Sequence, residues 1–226
     1  EFRRVLFRSP LTSIIGYLGL IEDRQFHSQE DLLKYTHTAY VKAKQMKLLV
    51  DDLFEYTKVR QPSVPIHTTT FDMAQLIEQL AADFELEAKK INMQIQVKAN
   101  PASLMMEGDT EKLVRVFNNL LSNALKYGKG GHHIVMEVDK VGTEAIIAVR
   151  NDGPAIPKHS LDQLFDRFYR VEESRSQETG GTGLGLAIAQ SIVALHGGYI
   201  YAKSDQKWTS FIIHLPLQRT NKKSES

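Results

Sequence analysis

Apolar positions recur with two different periods along this chain, and the change of period divides it. Over the first sixty residues the spacing is helical, with Leu11, Ile14, Ile15, Leu18 and Ile21 forming one stripe. A second row, Leu32, Thr36, Ala39, Ala43, Met46, Val50, Leu53 and Thr57, alternates steps of four and three over several heptads. Such a seam marks a helix packed lengthwise against others. Two helices cannot enclose a core, so the pattern predicts a helical hairpin forming half of a dimeric four-helix bundle. A hairpin folded onto its own domain is the alternative. Pro62 and Pro65 end the second helix and open a short linker.

Past the linker, helical and strand periods interleave. FDMAQLIEQLAADFELEAKK reads as a helix with Asp72 as N-cap. In DTEKLVRVFNNLLSNALKYG, Asp109 caps the start, Gly128 suits the stop, and Leu113, Phe117, Leu120 and Ala124 make the core face. MQIQVKA, IVMEVDK, AIIAVRN, YIYAKS and TSFIIHLP read as strands, and AIAQSIVAL as an apolar helix between the third and fourth. The expected class is α+β: a helical hairpin followed by an α/β sandwich with helices on one face of a mixed sheet.

Composition adds little. The 226 residues are 42% apolar and 24% charged, and the net charge of +1 favours neither nucleic acid nor a membrane surface as partner. The absence of cysteine excludes disulfides, a thiol nucleophile and a cysteine metal site. No apolar run approaches the ~18 to 20 residues of a membrane span, so any spans of a longer parent are expected upstream of this chain.

Chemistry concentrates in two segments. In GGTGLGLAI, four glycines between Gly180 and Gly185 let the backbone approach a ligand closely and adopt positive φ. The following helix would offer its first amides to a phosphate. No Lys-Ser or Lys-Thr follows the last glycine, which excludes a P-loop. The spacing Gly181, Gly183, Gly185 after a polar run excludes the dinucleotide fingerprint. Sixty residues upstream, Asn119, Asn123 and Lys126 share one helix face at i, i+4 and i+7. Asparagine is a mediocre helix former, so the pair needs a reason. A hydrogen-bonded polar patch is one; a Mg²⁺ and triphosphate site is the other, since amide oxygens suit a hard cation and an ammonium suits phosphate. Taken with the glycine loop, the nucleotide reading is preferred.

NNLLSNALKYG, NDGPAIP, LFDRFYRVEESRS and GGTGLGL, in this order, resemble the N, G1, F and G2 boxes of bacterial sensor histidine kinases. The resemblance covers nearly everything beyond residue 9. It is closest in flavour to the vancomycin-resistance-type sensor kinases, through PLTSIIGYL and the FNN form of the N box. It implies an ATPase domain of the histidine-kinase, chaperone and topoisomerase type, using ATP and Mg²⁺. By this resemblance Asn123 is the Mg²⁺ ligand, with Asn119 one turn earlier. Lys126 contacts phosphate, Tyr127 lies beside the adenine, and Arg170 reaches the phosphates. Gly181, Thr182, Gly183, Leu184, Gly185 and Leu186 form the G2 loop. Phe165 and Phe168 are expected to be core or lid-hinge aromatics, and residues 171–179 the ATP lid. The implied partners are a second copy of the chain through the hairpin and a response regulator whose aspartate receives the phosphoryl group. The implied place is the cytoplasmic portion of a membrane sensor.

Two departures stand out. In the G1 box, aligned on Gly153, the usual base-contacting aspartate is Asn151 and the second glycine is Ala155. The Asn151 oxygen can still accept from an amino group, at a cost of about 1 kcal/mol in charge assistance. Asp152 fills the middle slot and is given no base role. Counting back from Pro10, the phosphoacceptor histidine falls at Val5 and its acidic neighbour at Leu6. Neither can do nucleophilic or acid–base chemistry. EFRRVLFRS has no family character and reads as a cloning or assembly scar. The expected organisation is residues 1–9 foreign, 10–60 a truncated dimerisation hairpin, 61–67 linker, 68–217 the ATP-binding domain and 218–226 a polar tail. Acceptor-less dimeric scaffolding, or another ATPase of the same fold, are the alternative functions. His27, His37, His132, His133 and His196 are expected to be structural or exposed, with His196 favoured by partial positive charge at a helix end.

Overall fold

The computed structural model describes residues 2–60, 65–128, 130–171 and 181–218, with side chains from residue 9 onward. Two compact units result, one built on residues 1–57 and the other on most of the chain beyond.

The first unit is a hairpin of α1 (Phe2–Glu22) and α2 (Gln29–Val59). Ser28 opens α2 by accepting from the Asp31 N–H, while the Asp31 carboxylate accepts from the His27 N–H, a reciprocal cap. Tyr17 and Tyr35 meet across the pair with ring centroids 5.6 Å apart. Of the heptad seam, Ala39 is buried, Leu32, Met46 and Val50 are half-buried, and Leu53 is exposed. Ile15, Leu18, Leu33, Leu48 and Phe54 stand more than half exposed, with Phe54 at 70%. One hairpin therefore leaves much of its apolar surface uncovered, as two helices must.

The second unit is a sandwich. Its sheet has the order β2 (Gln94–Asn100), β4 (His133–Val141), β5 (Glu144–Asn151), β7 (Thr209–Pro216), β6 (Tyr199–Ser204). The β2–β4 pair is parallel and the rest antiparallel, which makes the sheet mixed as expected. Register aligns the inward rows: Val97, Met136, Val149, Phe211 and Ala202 form one, and Ala99, Val138, Ile147, Ile213 and Ile200 the next. Most of these are buried beneath α3 (Met73–Lys90), α4 (Thr110–Tyr127) and α6 (Gly185–Leu195). The outward rows are largely polar and aromatic, with Val135, Ile146, Ala148 and Ile212 among them; Arg150, for example, pairs with Glu137 at 3.1 Å and lies 5.1 Å from the Trp208 ring centroid. β7, the last described strand in sequence, is not at the sheet's edge but lies between β5 and β6. A small sheet of β1 (Thr69–Asp72) and β3 (Met105–Gly108), and a short helix α5 (Lys158–Leu161), complete the unit.

Both aspartate caps form. Asp72 accepts from the Ala74 N–H at 2.9 Å and also from the Leu104 N–H, which ties α3 to the approach to β3. Asp109 accepts from the Lys112 N–H, the Lys112 ammonium and the His67 N–H, and its own N–H donates to His196 Nε2 at 3.0 Å. His196 is buried, and its Nδ1 lies 2.8 Å from the Ile192 carbonyl. A carbonyl requires Nδ1–H, and the Asp109 N–H requires a bare Nε2, so the ring is neutral. This corrects the expectation of a positive charge there. Gly128 stops α4 as expected, with φ −79, outside the left-handed region. Its need is space, since a Cβ would sit 2.3 Å from the Ala124 carbonyl oxygen.

Burial raises the Asp109 pKa, but the Lys112 ammonium and the amide donors outweigh it and hold the carboxyl below its ordinary value. A depressed folded-state pKa contributes stability above the unfolded value, lost as pH falls through the folded one. Asp109→Asn should therefore lower unfolding free energy by about 1–3 kcal/mol at pH 7. In urea melts that deficit should shrink below about pH 4; a deficit independent of pH would contradict the ionised cap.

Candidate functional site

One face of α4 is core: Leu113, Val116, Phe117, Leu120, Leu121 and Ala124 are buried against the sheet and α6. The face beside it carries Asn119, Asn123, Lys126 and Tyr127, all half-buried. Asn119 has a structural bond, its Nδ2 donating to the Gly185 carbonyl at 3.0 Å. Asn123 accepts and donates no side-chain hydrogen bond among the described residues. Lys126 is engaged by neighbouring groups, as is Arg170, whose Nε is buried.

Opposite Asn119, α6 begins at Gly185 behind Leu184, a fully buried residue that supplies no side-chain cap. The contrast with the capped starts of α3 and α4 is chemical. The first amides of α6 have neither an intrahelical acceptor nor a capping side chain, and the positive end of the helix dipole lies there. Such a terminus suits an anion. Gly183 (φ 71) and Phe168 (φ 63) are both left-handed, and the Phe168 N–H donates to the Gly183 carbonyl at 2.8 Å. A Cβ on Gly183 would meet Phe168 Cα at 2.7 Å, so glycine is required on two counts. Phe168, 6% exposed, thus clips residue 168 to residue 183 at the base of the intervening segment, while Phe165 packs edge-on against Phe211. Residues 172–179 of the expected lid, and Gly180 beyond it, lie outside the described residues. Gly181 and Thr182 group with the first unit.

The third wall is the end of β5. Asn151 is 4% exposed and shares its row with Thr209 and Ser204 across β7 and β6. The Ser204 and Thr209 hydroxyls bond at 2.7 Å, and Ser204 Oγ also accepts from the Ile156 N–H at 2.8 Å. These two residues anchor the G1 loop, and the sequence reading missed them; polar residues on an otherwise apolar inward face were the available signal. A Cβ on Gly153 would lie 2.5 Å from Gly128 Cα, so the loop packs directly on the end of α4. Asp152, given no base role in the sequence reading, is engaged by the start of β4. Its carboxylate takes the His132 and His133 N–H groups at 2.8 and 2.7 Å and His133 Nδ1 at 2.8 Å. Desolvation raises its pKa, and these donors together bring it below the ordinary value. His132 and His133 are exposed, as expected.

The structure thus brings Asn119, Asn123, Lys126, Tyr127, Asn151, Gly153, Gly183, Leu184, Gly185 and Leu186 onto the adjoining elements α4, β5 with its following loop, and the start of α6. Val5 and Leu6 lie within α1, their side chains outside the described residues. Among the described residues no group of three or more His, Asp or Glu forms a metal cluster, and no helix is long and apolar enough to cross a membrane.

Residues 108–219 match the family described as histidine kinase-, DNA gyrase B- and HSP90-like ATPase, and residues 7–62 match the His Kinase A (phospho-acceptor) domain. The sensor protein VanS of Enterococcus faecium is 37% identical over 92% of this chain and 54% of its own length. The chain therefore spans about half the length of that curated relative. Among solved structures, the Acinetobacter baumannii histidine kinase AdeS superposes with a TM-score of 0.75 at 23% identity, over 93% of this chain and 96% of that one. The histidine kinase ThkA, solved in complex with the response regulator protein TrrA, gives 0.76 at 24% identity, over 93% of this chain and 58% of that one. At these identities the two structures speak for the fold alone. Two family matches in order and the VanS likeness over nearly the whole chain place it: the chain belongs to the sensor histidine kinases and carries their phospho-acceptor-type and ATPase domains.

Proposed function

We propose that the sandwich binds Mg·ATP between α4, the G1 loop and the start of α6, and that its γ-phosphoryl group is delivered to a histidine. One observation carries the reading: α6 starts without a side-chain cap directly across from an asparagine-bearing helix face. Phosphates satisfy the orphan amides of α6, and Lys126 and Arg170 neutralise their charge. Asn123, half-buried with an unengaged amide, suits a hard cation through its oxygen. Mg²⁺ held there would offset charge on the phosphates. Tyr127 lies beside the base, Asn151 contacts it, and Gly153 lets the loop come close. Gly181 and Thr182 continue the phosphate loop. Because phosphoryl transfer demands little covalent chemistry from the protein, positioning and charge stabilisation supply most of the rate. Arg170, at the edge of the lid, is the residue for charge on the group in flight.

In the same reading, residues 10–60 dimerise through the hairpin into a four-helix bundle, and residues 68–217 are the catalytic domain, reached through a linker at 61–67. The polar tail is 218–226. A response-regulator aspartate is the next acceptor, and the chain is the cytoplasmic portion of a membrane sensor. Residues 1–9 are read as foreign sequence over the acceptor position, although the phospho-acceptor match takes in residues 7–9; Val5 replaces histidine and Leu6 its acidic neighbour.

Three outcomes follow. Asn123→Ala should weaken Mg·ATP binding at least about tenfold by calorimetry, with the circular dichroism spectrum preserved; unchanged affinity removes Asn123 from the site. Val50→Asp with Leu53→Asp, placing charge in the seam, should convert a dimeric parent to monomer in light scattering at tens of micromolar, on the order of the concentrations where such bundles associate. A monomeric parent would count against the bundle. Incubated with γ-labelled ATP, this polypeptide should acquire no acid-labile label; stable label of that kind would refute the loss of the acceptor.

A further inference from the structure

The side-chain amides of Asn119 and Asn151 are placed very differently. Asn119 is fixed, its Nδ2 donating to the Gly185 carbonyl at 3.0 Å. Asn151 is 4% exposed, yet among the described residues no hydrogen bond reaches its amide. Neither of its amide atoms is among the side-chain atoms sealed from solvent without a partner; the amide meets solvent at a small opening, where a ligand can supply the bond. Its surroundings leave it free to turn. Gly128 and Gly153 flank it without side chains, and a Cβ at Gly153 would approach its Nδ2 to 2.9 Å. The nearby polar groups are committed elsewhere: Ser204 and Thr209 to each other and to Ile156, and Asp152 to His132 and His133.

A carboxylate at this position would only accept hydrogen bonds. It would match the 6-amino group of adenine and repel the 6-oxo oxygen of hypoxanthine or guanine. A primary amide carries an acceptor and a two-proton donor side by side. With Oδ1 toward the base amino group, Nδ2 can donate to N1, which reads adenine. Turned by half a rotation about Cβ–Cγ, Nδ2 donates to a 6-oxo oxygen and Oδ1 accepts from N1–H. Both base edges are satisfied by one residue, and among the described residues no protein bond selects between the two orientations.

We propose that Asn151 makes this a dual-base site, accepting 6-oxopurine triphosphates as well as ATP. The inference rests on the Mg·ATP reading and deepens it to the substrate class. Discrimination built on a polar contact is large only when the wrong base leaves that contact unpaired, and here neither base does.

Inosine triphosphate is the sharpest probe, because it differs from ATP only at the 6-position and N1; guanosine triphosphate adds a 2-amino group. Calorimetry on the whole chain with Mg²⁺ should place inosine triphosphate within about tenfold of ATP. Asn151→Asp should tighten ATP and weaken inosine triphosphate, widening the ratio by roughly twentyfold or more. The parent ratio needs no variant, so the proposal stays testable if the buried carboxylate impairs folding. ATP binding with inosine triphosphate weaker by about a hundredfold or more in the parent would overturn the proposal while leaving the ATP site intact. A ratio unmoved by Asn151→Asp in a folded variant would also overturn it. Failure of all three nucleotides to bind would instead refute the Mg·ATP reading and take this inference with it.

Discussion

Two hydrogen bonds hold α4 and α6 antiparallel, and the candidate site depends on both. At one end the Asp109 N–H meets His196 Nε2; at the other the Asn119 amide meets the Gly185 carbonyl. Ten residues separate the anchors on α4 (119 − 109) and eleven on α6 (196 − 185), so their spans are matched at about 15 and 16 Å of helix rise. The match fixes the register of the pair. It sets the asparagine-bearing face of α4 opposite the uncapped start of α6. Because His196 must stay neutral to accept from Asp109, the far anchor is a hydrogen bond between uncharged groups, insulated from solvent by burial.

Around that clamp the protein spends its capping residues selectively. Asp72 and Asp109 satisfy the first amides of α3 and α4, and both starts are thereby closed to ligands. The α6 start, behind Leu184, is open. Glycines are placed where backbone must touch backbone: Gly128 against Ala124, Gly153 against Gly128, Gly183 against Phe168. The last of these closes the base of the segment between residues 168 and 183. Walls packed backbone to backbone in this way are already in place before a ligand arrives, which limits the free energy consumed in ordering them.

Much of this was legible in the sequence because the signals were local. Asp72 and Asp109 precede apolar periodic runs, and the five longer strands are short apolar or alternating runs, so caps, helices and strands followed. Where partners are distant in sequence, the reading stopped. His196 looked like a charge at a helix end, since nothing local shows that its partner is Asp109, 87 residues away. TTFD and MMEG are too short to alternate, and their pairing as β1 and β3 emerges only in three dimensions. The place of β7 inside the sheet is likewise a matter of pairing, not propensity. In the site, the N-box face and the glycine loop were readable through residue type and spacing. The Ser204–Thr209 anchor of the G1 loop went unread, because its signal, two polar residues on an inward face, shows only once the strands are paired.

Amide hydrogen exchange with and without a non-hydrolysable Mg·ATP analogue tests the arrangement most directly. The account predicts that the analogue slows exchange at the amides of residues 185–187 and along residues 151–153. The first turns of α3 and α4, already closed by Asp72 and Asp109, should be little changed. Protection absent from the start of α6, or appearing instead on the outward face of the sheet, would contradict it.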